Sequence, residues 1–531
     1  MRFLLDIAYL FAVLAYAPVM LYRMVACGRY RTGWPHRFGK VGRRHSGGRC
    51  IWIHAVSLGE INATRTVVAE LKQRLGDCEI VISTTTDTGM ERARALFAAD
   101  HEVFYFPLDF SFISRRAFRR LRPDLCLLME LEVWPNFLTS ARKFGAHVVI
   151  VNGRISEHSF KWYRRIRPIA KAIFSRLSII LTQTELYAER FRRIGCASER
   201  VVVTGSLKYD TAQIADRVHG ADTLAAQLGI TAEQRLLVAG ATGNDEEKIL
   251  LDVYRRLIEE PQFRDVRLVV VPRKPERFDE VARQIQQAGF DLVRYSQVKE
   301  HKSARAQEHE STRAQEAGDE GRGTRDEGGS LSRSEGLDRP ALAFGKGRHP
   351  DEIPGANDET RNTQYELQRG LVHGQDAHAM QGRDAPATGD ERRDTKYGVI
   401  LGDTMGDLRK FYSLASVIFV GRSLVPMGGS DMMEAAALGR PTVFGPHATN
   451  FRQTVEALLA EDGAICVRNT EDLLAALRRC LGDPDYAAGI ARNGRAVIRS
   501  NQGATRKTVD AIAALLNPPD ESDESHRSGG A

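Results

Sequence analysis

Acid is missing from the start of this chain. Between Asp6 and Glu60 there is no Asp or Glu, while Arg23, Arg29, Arg31, Arg37, Lys40, Arg43, Arg44 and Arg49 fall in the same stretch. An acid-free basic stretch suits an anionic partner surface, and the chain as a whole carries a formal charge of +7. Cysteine is sparse. The seven residues Cys27, Cys50, Cys78, Cys126, Cys196, Cys466 and Cys480 form no CxxC pair and have no neighbouring histidine pairs, which argues against a disulfide framework or a zinc site and fits a reducing compartment. No G-x-G-x-x-G follows the first apolar run, so a plain NAD-type dehydrogenase is not expected. The basic run follows an apolar span, and no nucleic acid is expected as a partner. From Lys299 to Ser330 there is no Val, Ile, Leu, Met, Phe, Trp, Tyr or Cys, and the charge-rich composition continues to about Asp394. Such a segment cannot bury enough apolar surface to offset its ordering entropy. Residues 299–394 therefore read as a disordered insertion, and 517–531 as a disordered tail.

What is present begins with "FLLDIAYLFAVLAYAPVMLY", Phe3 to Tyr22, whose only charge is Asp6. About 20 such residues suffice for a spanning helix. The basic residues that follow would place the rest of the chain in the cytoplasm. A cleaved signal peptide and a helix lying in the membrane interface are the alternatives, the second because Asp6 and Pro18 interrupt a clean span. After this anchor, 1–27, short β-rich runs ("CIWIHAV", "EIVIST", "VFYF", "LCLLM", "HVVIV", "SIILTQ") alternate with helical patterns. A second series runs through "RLLVAGATG", "VRLVVVP", "FDLVRY", "YGVILGD", "SVIFVG", "PTVFG" and "AICV". Alternation of this kind predicts an α/β protein with two Rossmann-like domains, 28–215 and then 216–298 with 395–516. Ligands of such folds bind at the carboxyl ends of the strands.

Several residues fall on those strand ends. Glu60 opens the helix after "CIWIHAV". There it either merely stabilises its helix or, kept ionised by the helix dipole, accepts a proton from a substrate hydroxyl. Glu130 and Glu132 follow "LCLL" and either line a site or satisfy local backbone donors. Lys208 follows "VVV" near the domain junction and is either solvated or part of the site. Arg273 ends "VVVP" with a planar fork suited to phosphate. "MGGSDMMEAAALGRP" is a Gly-Gly turn opening a helix, a natural anion site, with Glu434 one turn in and placed for ribose hydroxyls. Gly406 lies in a turn before the helix "LRKFYSLA".

In this order and spacing the runs "HAVSLGE", "STTTDTG", "MELEVWPN", "NGRISEHS", "VTGSLKYD", "PRKPERF", "GDTMGDL" and "GGSDMMEAAALGRP" resemble the 3-deoxy-D-manno-octulosonic acid (Kdo) transferases of lipid A assembly. The resemblance covers the chain from about Arg2 to Leu516, leaving out the insertion. It implies a GT-B fold with an N-terminal membrane anchor helix and an inverting glycosyltransferase with no required metal or cofactor. The donor would be CMP-Kdo and the acceptor a lipid A precursor at the cytoplasmic face of the inner membrane. By the same resemblance, Glu60 matches the catalytic base, and Glu130 and Lys208 match residues that stabilise the transition state. Pro272, Arg273, Met405, Gly406, Asp407, Asp431, Met432, Met433 and Glu434 match the CMP-binding positions. The chain departs from the family pattern at Ala241, Gly243, Asp407, Arg422, Ser430 and Asp431, all in the donor half. Asp431 either sets a negative charge near the CMP phosphate or caps its helix as Asn would, with Arg422 supplying compensating charge. A different nucleotide-activated sugar, or a membrane-tethered binding protein without catalysis, are the alternative readings.

Overall fold

The computed structural model describes residues 2–26, 31–44, 47–301 and 398–517. The insertion expected at 299–394 lies outside the described residues apart from Lys299 to His301, which continue a helix begun at Tyr295. The tail from 518 onward also lies outside them. Asn517, placed in that tail by composition, accepts a hydrogen bond from Arg49 at 2.7 Å.

The apolar runs form two seven-stranded sheets. The first holds β1 (Arg49–His54), β2 (Cys78–Thr84), β3 (Glu102–Tyr105), β4 (Leu125–Met129), β5 (His147–Gly153), β6 (Ile179–Thr182) and β7 (Val201–Val203) in the order β3-β2-β1-β4-β5-β6-β7. The second holds β8 (Leu236–Thr242), β9 (Arg267–Pro272), β10 (Leu292–Arg294), β11 (Val399–Leu401), β12 (Val417–Val420), β13 (Thr442–Phe444) and β14 (Ile465–Cys466) in the order β10-β11-β9-β8-β12-β13-β14. Every pairing is parallel. Parallel sheets need cover on both faces, which is why these strands read as nearly unbroken apolar runs.

Alternation divides each strand between two cores. Cys50 and Trp52 of β1 enter one cluster, while Ile51 and Ile53 enter the cluster on the opposite face. Trp52 packs its ring against Phe137 at 5.0 Å, Phe104 and Phe118 at 5.5 Å and Phe106 at 5.9 Å between centroids. Truncating such a residue to alanine costs about 3–5 kcal/mol.

Strand order matters for function. In each sheet it reverses direction once, between β1 and β4 in the first and between β8 and β12 in the second. Loops leaving neighbouring strands at such a point diverge and open a crevice. Glu60 follows β1 and Glu130 follows β4; Gly243 follows β8 and Arg422 follows β12. The sequence pattern thus delivers four of its singled-out residues to the two switch points, while Lys208 follows β7 and Arg273 follows β9.

The last helix, Ala504–Leu516, departs from the expected boundary, which left it with the second half. Val509 and Ile512 share a core cluster with Val67 and Leu71 of the first half, and Thr505 Oγ1 lies 2.9 Å from Thr66 Oγ1. The chain therefore crosses back and finishes on the first sheet. The N-terminal helix, Arg2–Ala26, is long and apolar enough from Leu5 to Ala26 to cross a membrane by length and composition, and none of that stretch is buried in the protein.

Candidate active site

Ser57 caps the helix Leu58–Leu75, its Oγ accepting from the Glu60 amide. Glu60 reaches back in turn: Oε1 accepts from the Ser57 hydroxyl at 2.8 Å and Oε2 from the Val56 amide at 2.9 Å. This is a variant of the capping box, in which the carboxylate takes the Val56 amide and the Ser57 hydroxyl in place of the N-cap amide. It answers the question of whether Glu60 serves its helix, and leaves the carboxylate able to do more. An ionised carboxylate offers about four lone-pair sites, and two donors here hold it in place. Gly59, Asn62 and Ala63 of the same turn face a cavity of about 460 Å³.

On the other walls of that cavity stand Lys208, Arg273, Arg422, Asp431 and Glu434. Lys208 is placed by the short helix Leu207–Thr211, whose first amide bonds to Asn152 Oδ1 at 3.1 Å. The return of the chain grips this helix: Gln502 donates to the Tyr209 and Ala212 carbonyls at 3.0 and 2.7 Å, and Asp210 accepts from the Gly503 amide at 2.7 Å. Arg273 leaves the end of β9 exposed to the cavity, with its amide bonded to the Thr242 carbonyl.

Glu130 leaves β4 with φ at +56°, a left-handed conformation unusual for glutamate. Backbone strain of this kind is kept where the surroundings enforce it. Burial raises its pKa, Arg154 Nε at 3.2 Å opposes the rise, the negative charge of Glu60 adds to it and Lys208 counters it. Glu60 and Lys208 are therefore both close enough to act on the charge of Glu130. Glu132 belongs to the same group. Burial raises its pKa, the Trp134 indole N–H at 3.0 Å opposes this, and Glu60 and Glu130 raise it further. Beside it, His54 stacks on Phe106 at 3.7 Å with its Nε2 4.0 Å from Glu132 Oε2. Complete burial lowers the His54 pKa to about 3, so its ring is neutral.

The donor-half residues divide. Asp431 lies one residue before the N-cap Met432 of the helix Met433–Ala437, and its Oδ1 accepts from the first helical amide, that of Met433, at 2.9 Å. Its carboxylate opens into the cavity yet is ringed by protein, which raises its pKa; the Met433 amide and the charges of Lys208 and Arg273 oppose the rise. Glu434 is raised by burial, with Arg409 at 3.9 Å opposing. Met432 and Met433 are core residues, although Met433 also touches the cavity. Pro272 is buried at the end of β9. Met405, Gly406 and Asp407 are not among the residues lining this cavity. Met405 is exposed, and Asp407 accepts from Thr404 Oγ1 at 2.8 Å and Lys410 Nζ at 2.7 Å. Burial alone would raise the Asp407 pKa, but these two bonds outweigh it and hold the pKa below the usual carboxylate range.

Two further residues shape the site. Glu246, fully buried, takes four backbone amides: Gly243 at 2.9 Å and Arg422 on Oε2, Ser423 at 2.7 Å and Leu424 at 2.9 Å on Oε1. It ties the loop after β12 to the loop after β8. Glu247 pairs with Arg277 at 2.7 and 3.1 Å and accepts from Thr242 at 2.7 Å. Arg422, held at φ +60°, donates to the Met427 carbonyl at 3.1 Å and lies over Gly243, where an added Cβ would meet Arg422 Cγ at 3.0 Å. Among the described residues no group of three or more His, Cys, Asp or Glu is placed to hold a metal ion.

Residues 32–211 match the family model described as 3-deoxy-D-manno-octulosonic-acid transferase (kdotransferase). The chain is 26% identical over 493 residues to the 3-deoxy-D-manno-octulosonic acid transferase of Haemophilus influenzae, covering 92% of each chain. It is also 26% identical over 503 residues to that of Bordetella pertussis, covering 92% of this chain and 94% of the other. Its first half thus carries a match to the Kdo transferase family model, and nearly the whole chain is similar to Kdo transferases. Among solved structures, the chain is similar to the C-terminal CMP-Kdo binding domain of WaaA from Acinetobacter baumannii, at 21% identity and a TM-score of 0.32 over 52% of this chain and 96% of that one. A glycosyltransferase from Rickettsia africae ESF-5 aligns with a TM-score of 0.48 at 11% identity, covering 89% of this chain and 100% of the other.

Proposed function

We propose that this Kdo glycosyltransferase of lipopolysaccharide synthesis moves Kdo from CMP-Kdo to a lipid A precursor, with inversion, at the cytoplasmic face of the inner membrane. The observation that carries the reading is the cavity between the two switch points. One wall is the helix start that bears Glu60, and the others carry Lys208, Arg273 and Arg422. Glu60 itself is not part of the cavity lining, but its neighbours Gly59, Asn62 and Ala63 are, which sets a carboxylate at the rim of a cation-lined space, as displacement of an anionic leaving group by a hydroxyl requires.

In this reading the acceptor hydroxyl attacks the anomeric carbon while the bond from that carbon to the CMP phosphate breaks. The hydroxyl proton passes to Glu60, and the phosphate leaves with the electron pair. Val56 N–H and the Ser57 hydroxyl keep the base aimed. Lys208, Arg273 and Arg422 take up the charge growing on the phosphate, and Glu130 senses the positive charge developing on the sugar ring. Asp431, bonded to the first amide of the donor-half helix, lines the same space. Met433 and Glu434 line the same cavity and join the proposed CMP site; Pro272 and Met432 back it from the core, and Met405, Gly406 and Asp407, which do not line it, belong to the proposed site only by the resemblance.

A donor panel tests the reading. CMP-Kdo should be used in preference to other CMP-linked acidic sugars and to UDP-sugars. Substantial preference for a UDP-sugar would overturn the donor assignment while leaving the fold and the base in place.

A further inference from the structure

The N-terminal helix is tied to the catalytic domain at both ends. Near its start, Asp6 accepts from the Ser111 amide at 2.9 Å, from the Ser111 hydroxyl and from Asn136 Nδ2 at 3.0 Å. One turn later the Tyr9 hydroxyl donates to Asp109 Oδ2 at 3.1 Å. At its far end, the carbonyls of Met24 and Val25 accept from Arg31 at 2.8 and 3.0 Å. The residue after Arg31, Thr32, places its hydroxyl 3.1 Å from the Tyr105 hydroxyl at the end of β3.

These contacts conflict with a span. A helix crossing a hydrocarbon core about 30 Å thick must leave one end that far from a domain on the opposite side. Asp6 to Met24 measures about 27 Å at about 1.5 Å per residue. Yet both ends of that length sit within side-chain reach of the same domain. The charge of Asp6, awkward in a span, is already met by three donors on the protein.

Between the tethers the helix is bare. Phe11, Leu14, Leu21, Tyr22 and Val25 are each 60–69% exposed. Beside the helix, Trp34, Pro35, Phe38 and Phe112 line a groove of about 410 Å³ together with Lys40 and Arg116. Apolar surface on this scale needs a cover. The acid-free stretch that borders it, with Arg23, Arg31, Lys40 and Arg43, matches negative charge, while Arg37 and Arg44 are engaged within the protein.

We infer that the helix embeds in one leaflet of an anionic bilayer, lying in the interface with both ends on the cytoplasmic side, and does not cross. The inference rests on the reading of this helix as the membrane attachment and specifies its topology. The polar tethers would then fix the catalytic domain at one height and tilt over the headgroups, and the groove would extend the apolar contact beside it.

The test places single cysteines on the full-length protein with Cys27 and Cys466 replaced by serine. In spheroplasts of a Gram-negative host, Arg2→Cys should react with a membrane-impermeant maleimide only after permeabilisation. Labelling before permeabilisation would put the N-terminus across the membrane and overturn the inference alone. A second measurement avoids the helix end. Spin labels at Leu10→Cys, Leu14→Cys and Leu21→Cys, in vesicles of phosphatidylethanolamine and phosphatidylglycerol, should report similar shallow depths of about 5–10 Å. A label near the middle of the core, about 15 Å deep, would overturn the inference as well. Protein that neither sediments with membranes nor binds these vesicles would overturn the attachment reading, and the inference with it.

Discussion

Replacing Glu246 by Gln is the sharpest probe of how the donor side is built. The native carboxylate gives each oxygen two backbone amides, those of Gly243 and Arg422 on one and those of Ser423 and Leu424 on the other. A glutamine has one acceptor oxygen. Whichever way its amide sits, two backbone N–H groups face an NH2 and lose their partner. Each buried donor left unsatisfied costs about 1–3 kcal/mol, so the pair costs about 2–6 kcal/mol, a large part of the 5–15 kcal/mol that typically holds a protein folded. The loop can also answer by opening locally, which caps the global loss and moves Arg422 away from the cavity. Urea unfolding followed by circular dichroism and the KM for the donor together capture both responses. The expected result is a stability loss of this size, a donor KM raised at least severalfold, or both. A Glu246→Gln protein within about 0.5 kcal/mol of wild type and with unchanged donor KM would refute the reasoning. Glu247→Gln is the companion variant. It breaks the pair with Arg277 and should lower stability with a smaller effect on donor KM.

Three other outcomes are expected. Arg422→Gly removes one charged contact to the leaving group, worth about 1.5–3 kcal/mol, and should raise the donor KM roughly tenfold or more. Gly243→Ala sets a methyl group 2.6 Å from Met427 Sδ and 3.0 Å from Arg422 Cγ, and should raise the same KM; if it acts by displacing Arg422, the double variant will be no worse than Arg422→Gly. Asp109, pushed up to about 7 by burial against the opposing bonds from Asn136, Phe137 and Tyr9, gives a pH signature. Between its unfolded pKa near 3.8 and its folded pKa, the native state keeps a proton that the unfolded chain has lost, so stability falls as pH rises through that window and levels off above it. Asp109→Asn has no proton to lose there, and its Tm deficit relative to wild type should shrink between pH 4 and 7; a constant deficit would contradict the assignment.

The strands were legible because a parallel sheet buried on both faces demands unbroken apolar runs, and these stand out between amphipathic helices. Their order was not, and it is the order that brings Glu60 beside Glu130. The destination of the helix Ala504–Leu516 was equally hidden, since an apolar stripe shows that a helix packs without showing on which sheet. Glu60 was found by its place after a strand and before a helix, a local signal. Glu246 was missed because its partners at Arg422 to Leu424 lie 176 to 178 residues away, and two acids opening a helix look like ordinary dipole partners. Asp6 read as a flaw in an apolar span for the same reason, its partners at Ser111 and Asn136 being remote. Asp431 is the instructive middle case. Capping was one of two readings open to the sequence, and its bond to the Met433 amide supports that one, while its carboxylate still opens into the cavity.

The central claim is that Glu60 takes the acceptor's proton as Kdo leaves CMP. The measurement that tests it most directly is CMP release from CMP-Kdo in detergent with a lipid A precursor, for wild type and Glu60→Gln. The glutamine keeps an acceptor for either the Val56 amide or the Ser57 hydroxyl, so the fold should survive at a cost of about 1 kcal/mol for the weakened cap. Acceptor-dependent release should fall by about 10²–10⁴-fold, the usual contribution of a positioned general base. A folded Glu60→Gln enzyme that releases CMP at the wild-type rate would contradict the account.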